Sequence, residues 1–280
     1  MLERVLFLMA CSYQTQYLDR PDQFVIPSGY GYQLVEKLAI PPSLDAEGFG
    51  FIMENHDSIV IAFKATSLKP FDLSIDMDIY QTLFPWIMGA GKTHRGFTYL
   101  YGLLRKQIFS ILSNLVPTAN EKTIFLTGHS LGAALSTLAA LDLTVNGPYP
   151  RVCVSHSGSP KVGDPRFVDS YNSLVPQSVR IANIHDYIPL NPISEITPPF
   201  TEETISYSHV HHLFPISFQC NKESTPLDIP LGKNHTLTNY FNAVRLQIPN
   251  FAMKMCDQNP GFCPSFSDDL CRLSVGKMGT

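Results

Sequence analysis

The sequence predicts an α/β fold in which a mostly parallel central sheet is flanked by helices, all within a single domain. Strand-like and helix-like segments alternate through the middle of the chain, as expected when crossover helices join parallel strands. Residues 58–65 (SIVIAFKA) form a β-branched apolar run typical of a strand buried on both faces. The 280 residues, of which 44% are hydrophobic, suffice for one large core.

The first segment of the chain predicts a helix. An apolar run of six residues, VLFLMA, precedes Cys11. It is shorter than the roughly 7–15 apolar residues of a signal peptide, although LMAC superficially resembles a lipoprotein processing site. We expect a helix with its own apolar face and keep export as the less favoured alternative, so localisation is undetermined. No apolar run approaches the roughly 18–20 residues that span a bilayer.

Hydrophobic periodicity predicts the elements that follow. Residues 32–40 and 48–54 are expected to pair as antiparallel strands ahead of the buried strand, and 96–115 has apolar residues at helical spacing. The later elements are expected as strand 123–127, helix 131–145, strand 152–156, helix 164–174, strand 178–184, strand 207–218 and helix 236–246. The sequence therefore predicts repeated βα units.

The domain is expected to occupy residues 1–250. Residues 251–280 collect Pro, Gly, Cys and Ser, and we expect them to form an irregular tail packed on the same domain.

Charge and cysteine content argue against several classes of protein. The formal net charge is −4 and no basic run is long enough to indicate nucleic-acid binding. The six cysteines are scattered without a CxxC pair, so a zinc site is not expected. Cys256 and Cys263 bracket a loop that could close as a disulfide in an oxidising compartment, which no other feature indicates, so free thiols are favoured.

Residues 128–132, GHSLG, lie where the strand 123–127 is expected to pass into a helix. The pattern G-x-S-x-G at such a joint is typical of a nucleophile elbow, in which a tight turn exposes the serine at a helix N-terminus. Small residues of the following helix, Gly132 and Ala133 among them, allow close packing on the sheet. Ser130 is thus a candidate nucleophile, and a glycine-rich turn with an incidental serine is the less favoured interpretation.

A serine nucleophile needs a base and an orienting acid, which in αβ-hydrolases follow in the order Ser, Asp or Glu, His. Asp186 follows a strand pattern and therefore lies at a carboxyl end of the sheet, where such sites form. Asp142 should point away from the elbow, and Asp164 and Asp169, at a helix start, are expected to cap the helix or to be exposed to solvent. Asp186 is favoured over Asp228, which lies in an expected loop.

His235 is the favoured base because it follows the acid in the chain and lies in an expected polar loop before an amphipathic helix. His209 and His211, expected with His212 on a late strand, are a distant second, and their HxHH pattern lacks a matching carboxylate for metal binding. His129 should point away from Ser130, and His156 should be packed. Asn234 also begins a glycosylation sequon, which we discount because a glycan there would obstruct the site.

Acyl transfer also needs hydrogen-bond donors for the oxyanion of the tetrahedral intermediate. The backbone N–H of Leu131, directly after the nucleophile, is one candidate. The other is Thr66, which follows the buried strand at 58–65, although it is also suited to capping a turn. Arg95, Lys161 and Arg166 are expected to be solvated charges or members of local salt bridges.

The chain resembles the class-three, fungal-type triacylglycerol lipases. Six blocks carry the resemblance, in order from about residue 35 to 246: IVIAFKATS, THRGF, IFLTGHSLGAALSTLAA, SHSGSPKVGDPRF, VRIANIHDYIPLNP and NHTLTNYFNAV. The resemblance implies an αβ-hydrolase-like fold, a triad of Ser130, Asp186 and His235, and an oxyanion residue at Thr66.

The resemblance also implies a lid over residues 67–79, and the sequence departs from the family both in this segment and just before it. Lys64-Ala65 stands where Arg-Gly is usual, and Leu73 stands at about the place of a lid tryptophan. Phe71 and Leu73 are our candidates for contact with substrate.

The favoured function is that of a serine carboxylester hydrolase, specifically a lipase acting on glycerolipids at a lipid–water interface. The alternatives are a phospholipase A1, a short-chain or feruloyl esterase, and a lipase-like binding module without turnover. No cofactor, metal, nucleic acid or transmembrane segment is expected, and the sequence does not predict the oligomeric state.

Overall fold

The computed structural model describes residues 1–40, 48–65, 79–115, 121–198, 202–220, 231–265 and 272–273. Within these residues the main sheet has seven strands in the order β1-β2-β3-β6-β7-β8-β11. They are β1 (Gln33–Ala39), β2 (Gly48–Glu54), β3 (Ser58–Phe63), β6 (Thr123–Gly128), β7 (Val152–Ser157), β8 (Ser178–Asn183) and β11 (Leu213–Ile216).

The three strands at one edge pair antiparallel, and every pairing from β3 to β11 is parallel. The expectation of an antiparallel pair ahead of a mostly parallel sheet is therefore confirmed. Short strands β4 (Gln81–Leu83) and β5 (Lys92–His94), β9 (Glu195–Ile196) and β10 (Ile205–Ser206), and β12 (Phe218–Gln219) and β13 (Arg272–Leu273) form three two-stranded ladders.

Helices cover both faces of the sheet. They are α1 (Leu2–Gln14), α2 (Arg95–Asn114), α3 (Leu131–Asn146), α4 (Pro165–Leu174), α5 (Leu231–His235), α6 (Leu237–Arg245) and α7 (Pro249–Gln258). Alternate residues of β3 belong to two cores: Ile59 and Ile61 pack with α2, α3 and α4, whereas Val60 and Ala62 pack with α1, α6 and α7. This period-two division is what a strand buried on both faces requires.

The predicted N-terminal helix is confirmed as α1, which buries Val5, Leu6, Leu8 and Met9. Leu8 also accepts a hydrogen bond at its backbone oxygen from the Thr127 hydroxyl at 3.0 Å, which ties α1 to β6. None of the helices in the described ranges is long and apolar enough to cross a membrane.

The expected irregular tail after residue 250 is wrong for its first part. Pro249 occupies the first turn of α7, where its fixed φ favours helix, and Ala252 and Met255 are buried on one face. Cys256 and Cys263 are joined in a disulfide, so the expectation of free thiols is wrong for this pair. Cys220 is also disulfide-bonded.

The predicted strand 207–218 is too long, because only Leu213–Ile216 pairs with β8. The carbonyl of Pro189 accepts a hydrogen bond from the His209 side chain, and the carbonyl of Gly163 accepts one from the N–H of Ser208. These contacts hold the residues before β11 away from β8. The three histidines of the HxHH pattern thus precede the strand.

Candidate active site

Ser130 lies at the joint between β6 and α3 in a strained conformation. Its φ of 55° and ψ of −122° make it the non-glycine residue with positive φ in the described part of the chain. Such a conformation costs on the order of 1–3 kcal/mol and persists only where its surroundings impose it. The N–H of Ser130 donates to the Ser157 carbonyl of β7 at 3.1 Å, which anchors the turn to the neighbouring strand.

The glycines of the elbow are required by close backbone approaches. A Cβ on Gly128 would lie 2.2 Å from the carbonyl of Gly132, and a Cβ on Gly132 would lie 2.4 Å from the carbonyl oxygen of Phe63. The start of α3 therefore packs against the end of β3, the strand that leads to Lys64 and Ala65. At both positions the neighbouring backbone leaves no room for a side chain, which explains why the elbow has glycine on each side.

Leu131 is the first residue of α3, so its N–H has no acceptor within the helix and lies at the positive end of the helix dipole. This is the position expected of an oxyanion donor. Thr66, Phe71, Leu73 and nearly all of the expected lid at 67–79 lie outside the described residues.

Asp186 follows β8 at the carboxyl edge of the sheet, as predicted. Its side chain is fully buried and its carboxylate accepts three hydrogen bonds. Oδ1 accepts from the N–H of Ile188 at 2.9 Å, while Oδ2 accepts from His235 Nδ1 at 2.7 Å and from the Tyr240 hydroxyl at 2.6 Å. The three donors replace the hydration that the carboxylate loses on burial.

His235 is the last residue of α5, a short helix rather than the expected loop. Because Nδ1 donates to Asp186, Nε2 is the unprotonated nitrogen of the neutral ring and can accept a proton. Nε2 is buried and, within the described residues, has no hydrogen-bond partner. The side chain is 17% exposed, so the ring is shielded from solvent without being sealed off.

Asn234 shows why a glycan is not suited to this position. Its side chain is buried and its Oδ1 accepts from the N–H of Cys220 at 3.0 Å, while its backbone oxygen accepts from Asn183 Nδ2 at 3.1 Å. These contacts link the residue before His235 to the end of β8, where Asp186 follows.

His129, the residue before Ser130, contacts His235 directly. The two rings lie 4.6 Å apart between centroids, and His129 Nε2 donates to the backbone oxygen of His235 at 2.6 Å. Nδ1 then accepts from the Ser157 hydroxyl at 2.9 Å. Burial, and secondarily the adjacent His235, lower the pKa of His129 well below its usual value, so the ring stays neutral.

Gly158 closes the space beside these two rings. Its φ is +58°, and a Cβ at this position would lie 2.8 Å from Cε1 of His129 and 2.9 Å from Cε1 of His235. The elbow histidine and Gly158 thus bring His235 to the same end of the sheet as Ser130.

Sequence reasoning missed two residues of the site. It expected His129 to point away from Ser130 without foreseeing its contact with His235. It assigned Tyr240 only to an amphipathic helix, yet the Tyr240 hydroxyl also accepts from the N–H of Asn183 at 3.0 Å. Burial, and then the charge of Asp186, raise the pKa of Tyr240 well above its usual value. Its place in the block NHTLTNYFNAV was the available signal.

The rejected candidates have other partners. Asp142 is buried and bonded to Arg105 Nε at 2.6 Å and to the Tyr101 hydroxyl at 2.7 Å. Asp164 caps α4 by accepting from the N–H of Phe167 at 2.7 Å. His156 is packed in the core, as expected. Asp228 lies outside the described residues.

Lys161 corrects an expectation. It was expected to be a solvated charge, yet it is 9% exposed and its Nζ donates to the backbone oxygens of Leu190 and Pro192 at 2.6 and 2.9 Å. Arg95 and Arg166 lie at the surface, as expected.

Within the described ranges, no group of three His, Cys, Asp or Glu side chains is arranged to hold a metal ion. The HxHH histidines accordingly have other contacts. His209 Nε2 donates to the Pro189 carbonyl at 2.6 Å, and the N–H of His211 donates to Asn172 Oδ1 at 2.9 Å.

Part of this chain matches a known protein family. Residues 60–195 match the model of the lipase (class 3) family, which confirms the resemblance over the segment from the buried strand to just beyond Asp186. Phospholipase A1-II 3 of rice (Oryza sativa subsp. indica) is 31% identical over 160 residues, covering 47% of this chain and 38% of the rice protein.

A secreted mono- and diacylglycerol lipase of Malassezia globosa is 30% identical over 146 residues, covering 48% of this chain and 46% of that protein. The chain thus matches less than half of the length of either relative. Native Rhizomucor miehei lipase in its propeptide complex has a similar fold, with a TM-score of 0.61 at 20% identity over 75% of this chain and 66% of that one. The αβ-hydrolase-like fold is therefore confirmed.

Proposed function

We propose that this chain, whose residues 60–195 match the class 3 lipases, is a serine carboxylester hydrolase that cleaves fatty acyl esters of glycerolipids. The observation that carries the proposal is the buried Asp186–His235 pair, 2.7 Å between Oδ2 and Nδ1, held by His129 against the strained elbow of Ser130. An imidazole oriented by a carboxylate, at the same end of the sheet as a partly exposed serine, is the arrangement that acyl transfer requires.

In the first half of the reaction, Ser130 Oγ attacks the ester carbonyl while Nε2 of His235 takes the hydroxyl proton. Asp186 holds Nδ1–H and stabilises the imidazolium that forms. The oxyanion of the tetrahedral intermediate is bound by the N–H of Leu131 and by Thr66, each donor contributing about 3–4 kcal/mol. Collapse expels the alcohol, which receives the proton from Nε2 and leaves an acyl group on Ser130.

In the second half, water enters the place of the alcohol. His235 Nε2 takes a proton from it as its oxygen attacks the acyl carbonyl, and the second tetrahedral intermediate collapses to release the fatty acid. The proton returns to Ser130 Oγ. No cofactor or metal enters either step.

The substrate is proposed to be met at a lipid–water interface. Four large apolar side chains near Asp186 are half or more exposed: Ile184, Tyr187, Leu190 and Ile193. Apolar side chains exposed together beside a site are suited to contact with lipid. Phe71 and Leu73, in the segment expected as a lid, are the further proposed substrate contacts.

Phospholipase A1 activity is the second candidate, and the rice relative favours it because that protein is named for this activity. The Malassezia relative, named for mono- and diacylglycerols, favours neutral glycerolipids. The two differ in whether the site admits a phosphate-bearing head group.

Release of fatty acid from triolein, diolein and phosphatidylcholine, with Ser130→Ala as the matched control, separates the candidates. We expect hydrolysis of at least one of the neutral lipids by the wild-type protein and none above background by the variant. Preferential cleavage of phosphatidylcholine would support the second candidate. Turnover of acetate and butyrate esters alone would reject a lipase, and no turnover of any ester would reject an enzyme.

A further inference from the structure

The segment that carries Asp186 is held by two basic side chains that no proposed chemical step uses. We define the acid loop as residues 186–192. Four consecutive carbonyls of this loop accept hydrogen bonds from outside it: His209 Nε2 donates to Pro189 at 2.6 Å, and Lys161 Nζ donates to Leu190 at 2.6 Å and to Pro192 at 2.9 Å. The N–H of Lys161 donates to the fourth, Asn191, at 2.8 Å.

These contacts involve a buried cation that has no carboxylate partner among the described residues. Lys161 and Arg180 are 9% and 7% exposed, and within the described residues neither forms a salt bridge. Burying a charge without a partner is costly. The carbonyls of the acid loop are the acceptors that compensate Lys161, so the lysine is firmly tied to the loop.

His209 contributes to the same anchorage as a neutral donor. Burial, and then the nearby Arg180, lower the pKa of His209 to about 4, so at neutral pH its Nε2–H serves Pro189 without adding a further charge. This contact accounts for the burial of a histidine that the sequence offered as an alternative base.

We propose that Lys161 and His209 are positioning residues that hold the acid loop where the Asp186 carboxylate can accept the hydrogen bond of His235 Nδ1. The inference rests on the proposed function, since it assigns these side chains to the geometry of that triad. Asp186 Oδ1 is itself bonded to the N–H of Ile188 within the loop, so a shift of residues 189–192 is transmitted to the carboxylate. A displacement of about 1 Å in an active site can lower the rate by about a hundredfold.

The test compares Lys161→Met, which keeps the aliphatic stem but removes the donors, with Lys161→Arg, which restores donors. Steady-state kinetics on the soluble substrate nitrophenyl butyrate should show kcat lowered about 10- to 100-fold in Lys161→Met with KM changed less than about twofold. Lys161→Arg should recover a substantial part of kcat. The downfield proton resonance of His235 Nδ1–H, assigned by its loss in His235→Ala, should shift or broaden in Lys161→Met.

The matched control is Arg105→Met, which removes a partly buried cation that is bonded to Asp142 on α3 rather than to the acid loop. It should destabilise the protein yet leave kcat within about twofold and the His235 resonance unchanged. An equal loss of kcat in both methionine variants, or an unchanged resonance in Lys161→Met, would overturn the proposal.

His209→Phe supplies a second variant if Lys161→Met does not fold. Loss of the Pro189 contact should lower kcat in the same direction and move the same resonance, and no change in either would contradict the inference. A wild-type protein that turns over no ester would reject the proposed function, while the resonance of its Asp186–His235 hydrogen bond would still test the positioning role.

Discussion

At the scale of single residues, the site is built around one buried carboxylate. Asp186 receives hydrogen bonds from His235, Tyr240 and its own loop, so its charge is compensated in three directions. The phenol of Tyr240 is shared between Asp186 Oδ2 and the N–H of Asn183. Tyr240 therefore couples the end of β8 to the acid that follows it.

Tyr240→Phe should lower both activity and stability. The variant keeps the ring but leaves Asp186 with one donor fewer and the N–H of Asn183 without its acceptor, at a cost of about 1–3 kcal/mol. We expect the free energy of unfolding, measured in urea, to fall by this amount and kcat on nitrophenyl butyrate to fall several-fold.

Tyr171→Phe is the matched control for this change. Its buried hydroxyl is bonded to Ser178 Oγ at 2.9 Å, at the opposite end of β8 from Asp186. It should lose stability with kcat unchanged. Unchanged kcat in Tyr240→Phe, beside a comparable loss of stability, would assign Tyr240 a structural role only.

At the scale of elements, the joint between β6 and α3 depends on backbone contact between segments distant in sequence. Gly132 is in a helix, where glycine is ordinarily unfavourable by roughly 0.5–1 kcal/mol relative to alanine. Here the missing side chain lets α3 lie close to the carbonyl of Phe63 at the end of β3. The same approach sets the path of the chain into Lys64 and Ala65.

Gly132→Ala should therefore be destabilising despite the better helix propensity of alanine. Its Cβ would lie 2.4 Å from the Phe63 oxygen, so either α3 or β3 has to move. We expect a loss of at least about 2 kcal/mol in urea unfolding and a loss of esterase activity.

Gly102→Ala, in α2, provides the comparison. The nearest atom to its Cβ would be a Trp86 ring carbon at 3.4 Å, an ordinary contact, so stability should be unchanged or slightly raised. Equal behaviour of the two alanine variants would show that the close approach at the elbow is not required.

Local pattern predicted most elements because their cores follow simple periodicities. The alternation in β3 and the helical spacing in α2 are determined by which side of the sheet each residue faces. What the sequence could not supply are contacts between distant segments. The bond from His209 to Pro189 makes β11 begin later than predicted, and the carbonyls that accept from Lys161 belong to a loop some thirty residues away. The position of Thr66 and the segment expected as a lid stay predictions.

At the scale of the whole molecule, two neutral histidines, the buried His156 and the partly buried His209, link stability to pH. Burial, with Arg180 as the next cause, lowers the pKa of His156 to about 3 and that of His209 to about 4. The ordinary value is about 6.5, so between these values the unfolded chain binds more protons than the folded one. Stability therefore falls as the pH is lowered through this range.

Urea unfolding at pH 7, 5 and 4 should show this decline, amounting to several kcal/mol in total. His156→Leu should reduce the slope, because it removes a group that takes up a proton on unfolding. His56→Gln, at a side chain 97% exposed, should leave the slope unchanged. A wild-type stability that is flat between pH 7 and 4 would contradict neutral burial of these histidines.

The most direct test of the central claim is covalent labelling by a fluorophosphonate, followed by mass spectrometry of the modified peptide. We expect one adduct per chain, on Ser130, formed much more slowly by His235→Ala and absent from Ser130→Ala. No labelling of the wild-type protein, an adduct on another residue, or equal labelling of Ser130→Ala would contradict the assignment of Ser130 as an activated nucleophile.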